Sequence, residues 1–271
     1  MTTMFLIPAI AARRASLLAA VALVLGGLGG CASGPNANPR DPFEPFNRKM
    51  MEFNEALDSV ALKPAATAYH NAVPALVRTG VSNFFSNMRD LWSGANSLLQ
   101  FKFHNAAENL LRFQVNTLFG LAGILDIASE MNIERHTEDL GQTLGRWGVP
   151  AGPYLMLPVF GPSTVRDAIA LPVDRRADPL GTVEGWDARW SLYVLRAVDT
   201  RANLLRMSSV LGEAALDKYS FTRDAHLQRR RASIIESKRS ASDGREPGAE
   251  GDSARPALDG YIPPEPQESP R

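Results

Sequence analysis

Nineteen consecutive residues, Trp147–Val165, carry no charge, a length that could span a bilayer as a helix. Pro150, Pro153, Pro158 and Pro162, together with Gly148, Gly152 and Gly161, argue against any continuous helix there. An apolar backbone that cannot pair its amides along a helix must hide them against protein or beside water. The segment is therefore either a Pro-rich loop packed on a core, or a re-entrant element that lines a cavity where the chain meets lipid.

The sequence around this segment reads as helix. Asp41, Pro42 and Glu44 have the spacing of an N-cap, a first-turn proline and an acid that complements the dipole. Phe43, Phe46, Met50, Phe53, Leu57 and Val60 then recur every three or four positions, and Pro64 is expected to end that helix. After Pro74, an apolar stripe runs from Val77 through Val81, Phe84, Met88, Leu91 and Ala95 to Leu98, opposite Ser82, Asn83, Ser86, Asn87, Arg89 and Asp90. A further helix is expected from Ala106 to Leu125, with Glu108, Arg112, Gln114 and Asn116 on its polar side, and another from Trp186 to Leu211. Almost nothing alternates with period two, so the fold class is all-α, built from several long amphipathic helices.

The ends are of a different character. Arg13 and Arg14 precede the apolar run Ala15–Leu25, which is too short to span a bilayer, and Leu28, Gly29, Gly30 and Cys31 resemble the bacterial lipobox. Cys31 is the only cysteine, so no internal disulfide can form, and acylation accounts for its presence in an exported chain. Ala32 follows where an Asp would resemble the inner-membrane retention signal, which directs the expectation to the outer membrane. The expected organisation is a signal peptide at 1–30, a tether at 31–40, a helical domain at 41–232 and a disordered Pro/Gly-rich tail at 233–271. Arg229–Arg231 is expected to be the solvated end of the last helix.

The 29 Lys+Arg balance the 29 Asp+Glu, which leaves no basic excess for nucleic acid. Neither a GxSxG elbow, an HExxH pair nor a glycine-rich phosphate loop occurs, and His70, His104, His136 and His226 are scattered. His136, beside Glu134, Arg135, Glu138 and Asp139, is expected in an exposed polar turn. No catalytic residue, metal site or cofactor is implied.

Three motifs, DPFEPFNR at 41–48, NTLFGLAGILD at 116–126 and GQTLGRWGVPAGPYLMLPVFGPSTVRD at 141–167, closely resemble the MlaA (VacJ) family of lipoproteins, in the same order and after a lipobox. The likeness runs from Asp41 to about residue 230. It implies a ring-shaped lipoprotein embedded in the inner leaflet of the outer membrane, often beside a trimeric porin. It further implies an amphipathic channel that admits phospholipids misplaced in the outer leaflet and passes them to a periplasmic carrier of MlaC type. A structural lipoprotein that organises porins without moving lipid is the alternative. Under this resemblance Pro153, Leu155, Pro158, Val159 and Gly161 become candidates for the channel or its rim, and Cys31 for lipidation. Gly120 and Gly123, three apart, suit either close helix packing or a helix end near Asp126.

Overall fold

The computed structural model describes residues 41–205 and 217–242. Cys31, the signal peptide, the tether, Leu211 and the chain beyond Ser242 lie outside the described residues.

The chain starts with α1 (Glu44–Leu57), which runs through a π-helical turn, Asp58–Leu62, into α2 (Lys63–Ala72). Pro64 therefore does not end the helix. Its missing N–H and bulky ring fall where the ladder has already widened, Lys63 N–H reaching back to the Asp58 carbonyl, so the proline sits in the first turn of α2 at no further loss. Nor is Asp41 the N-cap: α1 begins behind Phe43 with no side-chain cap, and Asp41 is turned inward.

Two long antiparallel helices follow, α3 (Ala75–Leu99) and α4 (Phe103–Leu118), and they form the most extensive packing in the molecule. Helix α4 stops seven residues short of the expected Leu125. A tight turn at Phe119–Leu125 follows, in which Leu121, Ala122 and Gly123 all have positive φ, and the Asp126 side chain caps the short α5 (Ile127–Glu130). Next come α6 (Leu140–Arg146), capped by Asp139, and an antiparallel hairpin, β1 (Tyr154–Leu157) and β2 (Gly161–Thr164). The pairing runs from Tyr154 opposite Thr164 to Leu157 opposite Gly161. The uncharged Gly/Pro segment thus satisfies its amides as a two-stranded ribbon, an element that its lack of alternation conceals.

Thr164 caps α7 (Val165–Arg176), and a 3₁₀ turn at Pro179–Thr182 leads to α8 (Trp186–Asn203). The last described element, α9 (Lys218–Ser242), packs on α6 and β2. It continues ten residues past the expected end of the domain at 232, and Ser237 is buried, so the folded part extends to at least that point.

The distribution of polarity is inverted. Among the described residues the fully buried set contains eleven apolar side chains, mostly small ones, against twenty polar or charged ones. Large apolar side chains are instead on the outside, including Val77, Leu98 and Leu99 of α3, Leu111 and Leu118 of α4, and Trp186, Trp190 and Val194 of α8. On α3 the stripe of Asn87, Asp90, Ser93, Asn96 and Ser97 is the buried one. An apolar cluster remains where Tyr154, Met156 and Tyr219 meet Met50, Met51 and Leu227, beneath the hairpin. Among the described residues no helix is long and apolar enough to cross a membrane.

Candidate functional site: a polar interior inside an apolar shell

The buried polar faces of α3 and α4 are joined to the segment 126–140 by hydrogen bonds and ion pairs. Arg112 is the centre. Its side chain is 2% exposed and its Nη2 donates to both oxygens of Asp126, at 2.7 and 2.9 Å, and to Ser129 Oγ at 3.0 Å. Nη1 reaches the Ile133 carbonyl, while Asp90 lies 3.6 Å from Nε. Burial holds the Asp90 carboxyl above the usual range despite Arg135 and Arg112. Asp126 is held below it: burial opposes this, but the hydrogen bonds from Ser129 and Asn116 and the charges of Arg112 and Arg135 prevail. Asn116 Oδ1 also accepts from the Ala128 amide, and Asn109 exchanges hydrogen bonds with the backbone of His136.

Just past the end of α3, Gln100 donates to Glu138 and Thr143 and accepts from Ser237, and the Lys102 ammonium stands 2.5 Å from Glu138. The acid-rich stretch around His136 is therefore exposed only in part: Glu134 and Arg135 reach solvent, His136 is half-buried and Glu138 is buried. His136 Nε2 meets Glu108 at 2.5 Å, Arg135 pairs with Asp90, and Glu138 is buried. Charges adjacent in sequence usually mark solvated surface, but here His136 has its partner on α4, Arg135 on α3, and Glu138 on Gln100 and Lys102 between them.

Arg230 is likewise not a solvated helix end. It lies mid-way along α9, ion-paired to Asp139 and Asp167 at 2.6 and 2.8 Å, while Arg229 and Arg231 stay exposed. Gly141 and Gly145 make this layer possible: a Cβ would stand 2.5 Å from Asp167 Oδ1 at the first and 2.6 Å from Arg166 Nη1 at the second. On the far side Asp199 accepts from Tyr69 and Ser82, and burial with the Asp199 charge pushes the Tyr69 hydroxyl up to about 12.

The rim candidates fall on the hairpin. Pro153 precedes β1, Leu155 is half-buried within it, Pro158 and Val159 form the turn, and Gly161 opens β2 with φ of 77°. Val159 is 67% exposed and Phe160 beside it 49%. What holds the ribbon is not visible in the sequence. Asn47 Nδ2 donates to the Tyr154 carbonyl and its Oδ1 accepts from the Met156 amide; two helical turns later, Asn54 does the same for the Leu157 carbonyl and the Val159 amide. Two asparagines on one face of α1 thus stand in for a third strand along the free edge of β1.

Of the two alternatives for Gly120 and Gly123, the structure has the helix end near Asp126: both lie in the turn after α4, not within a helix. Close approach does require them: a Cβ at Gly120 would stand 2.2 Å from the Leu125 carbonyl oxygen, and Gly123, with φ of 93°, is covered by Asn87 of α3.

Together these contacts make an interior that hydrogen-bonds itself and an exterior that water does not favour. On the outside, α8 carries an open apolar groove between Trp186, Trp190, Val194 and Val198. A family model described as MlaA lipoprotein matches residues 39–233. The chain belongs to the MlaA family.

Intermembrane phospholipid transport system lipoprotein MlaA of Escherichia coli (strain K12) is 36% identical over 218 residues, which cover 78% of this chain and 86% of that one. Its counterpart in Haemophilus influenzae (strain ATCC 51907 / DSM 11121 / KW20 / Rd) is 33% identical over 244 residues, 84% of this chain and 94% of that one. A chain solved in work on the structural basis for maintenance of bacterial outer membrane lipid asymmetry superposes with a TM-score of 0.63 at 34% identity, covering 72% of this chain and 98% of that one. MlaA family membership gives the inverted polarity a physical setting, since a shell of this composition suits contact with acyl chains.

Proposed function

We propose that the protein is a lipid-anchored component of the outer membrane that passes phospholipids misplaced in the outer leaflet inward, to a periplasmic carrier of MlaC type. Cys31 carries the acyl anchor, a trimeric porin holds the ring in place, and the protein breaks no bond in the lipid. The observation that carries this reading is the inversion of polarity in an MlaA-family chain. A phospholipid head moved through hydrocarbon unaided would lose its water with nothing in exchange. A polar path within an apolar shell removes that cost, and no energy source is needed when lipid leaves down its own gradient.

The test is the surface exposure of phosphatidylethanolamine, read by a membrane-impermeant amine reagent on cells lacking the gene and on cells complemented with it. Deletion should raise labelling and complementation restore it. Unchanged labelling, with porin assembly disturbed instead, would assign the protein the structural porin-organising role. Release of free fatty acid from phospholipid by the purified protein would contradict the non-enzymatic reading.

A further inference from the structure

The tip of the hairpin is strained. Val159 is β-branched and has φ of 69°, a left-handed conformation that such a side chain adopts only where its surroundings impose it. On one side Asn54 of α1 accepts from the Val159 amide at 2.7 Å. On the other, Cζ of the Arg175 guanidinium on α7 stands 4.2 Å from the centroid of the Phe160 ring, a cation–π contact. Val159 and Phe160 are both exposed, so apolar burial does not account for the conformation.

Chain geometry brings Arg175 to this place. Strand β2 passes without a loop into α7, which packs back on both strands. The helix rises about 16 Å between Thr164 and Arg175, and the strand spans about 13 Å from Phe160 to Thr164, so the last turn of α7 returns to the level of the tip. That turn is itself fixed. Asp174, the preceding residue, accepts from Trp92 Nε1 of α3 at 2.8 Å and from the Leu140 amide at the start of α6 at 3.0 Å. The contact on Phe160 therefore ties the hairpin tip to α3 and α6, just as Asn54 ties it to α1.

We propose that Arg175 is a positioning residue for lipid passage: by stacking on Phe160 it holds the strained tip, Val159 and Phe160, in the conformation that meets the acyl chains of the moving lipid. The guanidinium covers one face of the ring. The rest of the ring and the Val159 side chain stay open, an apolar surface along which an acyl chain slides without a polar bond to break. Arg175 itself touches no lipid and acts through Phe160. Without it the tip keeps the Asn54 hydrogen bond alone, and the strain at Val159 favours its departure from this position. The role rests on the proposed passage of lipid.

The experiment compares Arg175→Gln, Phe160→Leu, their double variant, Phe160→Trp and Arg176→Gln in two measurements. One is hydrogen exchange at the tip amides of the full acylated lipoprotein in detergent; the other is surface labelling of phosphatidylethanolamine in cells at matched protein abundance. Arg175→Gln and Phe160→Leu should each speed exchange at Val159 and Phe160 about twofold to fivefold, the factor that one exposed cation–π contact commands, and raise labelling by a similar factor. The double variant should do no more than either single one, because both remove the same contact. Phe160→Trp, which keeps a ring under the guanidinium, should match wild type in both measurements, as should Arg176→Gln, which removes the other charge in the last turn of α7. Unchanged tip exchange in Arg175→Gln overturns the role and leaves lipid passage standing. Faster tip exchange with wild-type labelling makes Arg175 structural only, and overturns its part in passage. Additive effects in the double variant, or the same increases in Arg176→Gln, assign the effect to charge and overturn the stacking. Labelling that stays unchanged when the gene is deleted removes lipid passage itself, and the role of Arg175 with it.

Discussion

At the scale of single residues, the fold depends on polar side chains that satisfy buried backbone. Asn47 is fully buried and serves two backbone groups of β1, as well as donating to Asp41. Replacing it by Leu keeps the volume but strands those groups, so Asn47→Leu should lower stability by about 2–4 kcal/mol in denaturant unfolding. Asn54→Leu, at the more open end of the strand, should cost less, about 1–2 kcal/mol. Arg112→Met leaves Asp126 and Asp90 facing an uncompensated interior and should cost about 3–5 kcal/mol, the usual penalty for removing one partner of a buried ion pair. Neither asparagine can be read from the sequence as anything but helix surface, because an Asn on an amphipathic helix normally faces water.

His226 adds a pH dependence. It stacks edge-on against Tyr154 with its Nε2 unpartnered, and burial, reinforced by Arg230 and Arg229 against Asp167 and Asp139, lowers its pKa below the usual 6.5. The folded state therefore resists protonation more than the unfolded state does. Its contribution is complete above pH 6.5 and is lost as the pH falls from there towards the folded value. Unfolding midpoints measured between pH 8 and pH 5 should fall on the acid side in the wild type and fall less steeply in His226→Gln. Parallel profiles would show that His226 is not responsible.

At the scale of elements, periodicity locates most helices and does not say which face is buried. The stripes along α3 and α4 are evident in the sequence, but assigning the apolar stripe to a core assumes water outside, and here it is the polar stripe that is buried. The same reasoning explains the smaller departures. Pro64 would be a sound stop signal had a π-turn not opened the ladder before it; the turn after Leu118 is hidden because Leu121, Ala122, Ile124 and Leu125 continue an apolar pattern in non-helical backbone. The Gly/Pro motif is legible as the most distinctive segment, though its hairpin is not, since its outer edge is paired by side chains from a helix about a hundred residues earlier. Placing charge at two points of this hairpin separates its roles. Val159→Asp, at the exposed tip, should leave the protein at normal abundance while surface labelling of phosphatidylethanolamine rises; Leu155→Asp, half-buried in β1, should lower abundance as well. If both variants are abundant and labelling stays at the wild-type level, the hairpin is a surface loop and the path is walled by α3 and α4.

At the scale of the whole molecule, the two ends of the described chain are tied together. Tyr219 of α9 donates to Asp41, Arg223 pairs with the same carboxylate, and Arg48 binds Asp217. Helix α9 then passes the Asp139–Arg230–Asp167 layer and brings the buried Ser237 to both Gln100 and Arg146. A chain cut after Ser242 should fold and maintain lipid asymmetry as the full chain does. One cut after Ala232 loses the Ser237 contacts and should show a lower unfolding midpoint. Loss of function on removal of residues 243–271 alone would give that segment a role of its own.

Inversion of polarity is the claim on which the rest depends, and tryptophan fluorescence in lipid tests it most directly. Trp147, Trp186 and Trp190 are each more than half exposed on the apolar shell, whereas Trp92 is partly buried and bound to Asp174. Single-tryptophan variants reconstituted in bilayers with brominated acyl chains should be quenched strongly at residues 147, 186 and 190 and weakly at 92, with little quenching by aqueous iodide at the first three. Strong iodide quenching at those three sites, with no effect of brominated lipid, would contradict a lipid-facing shell.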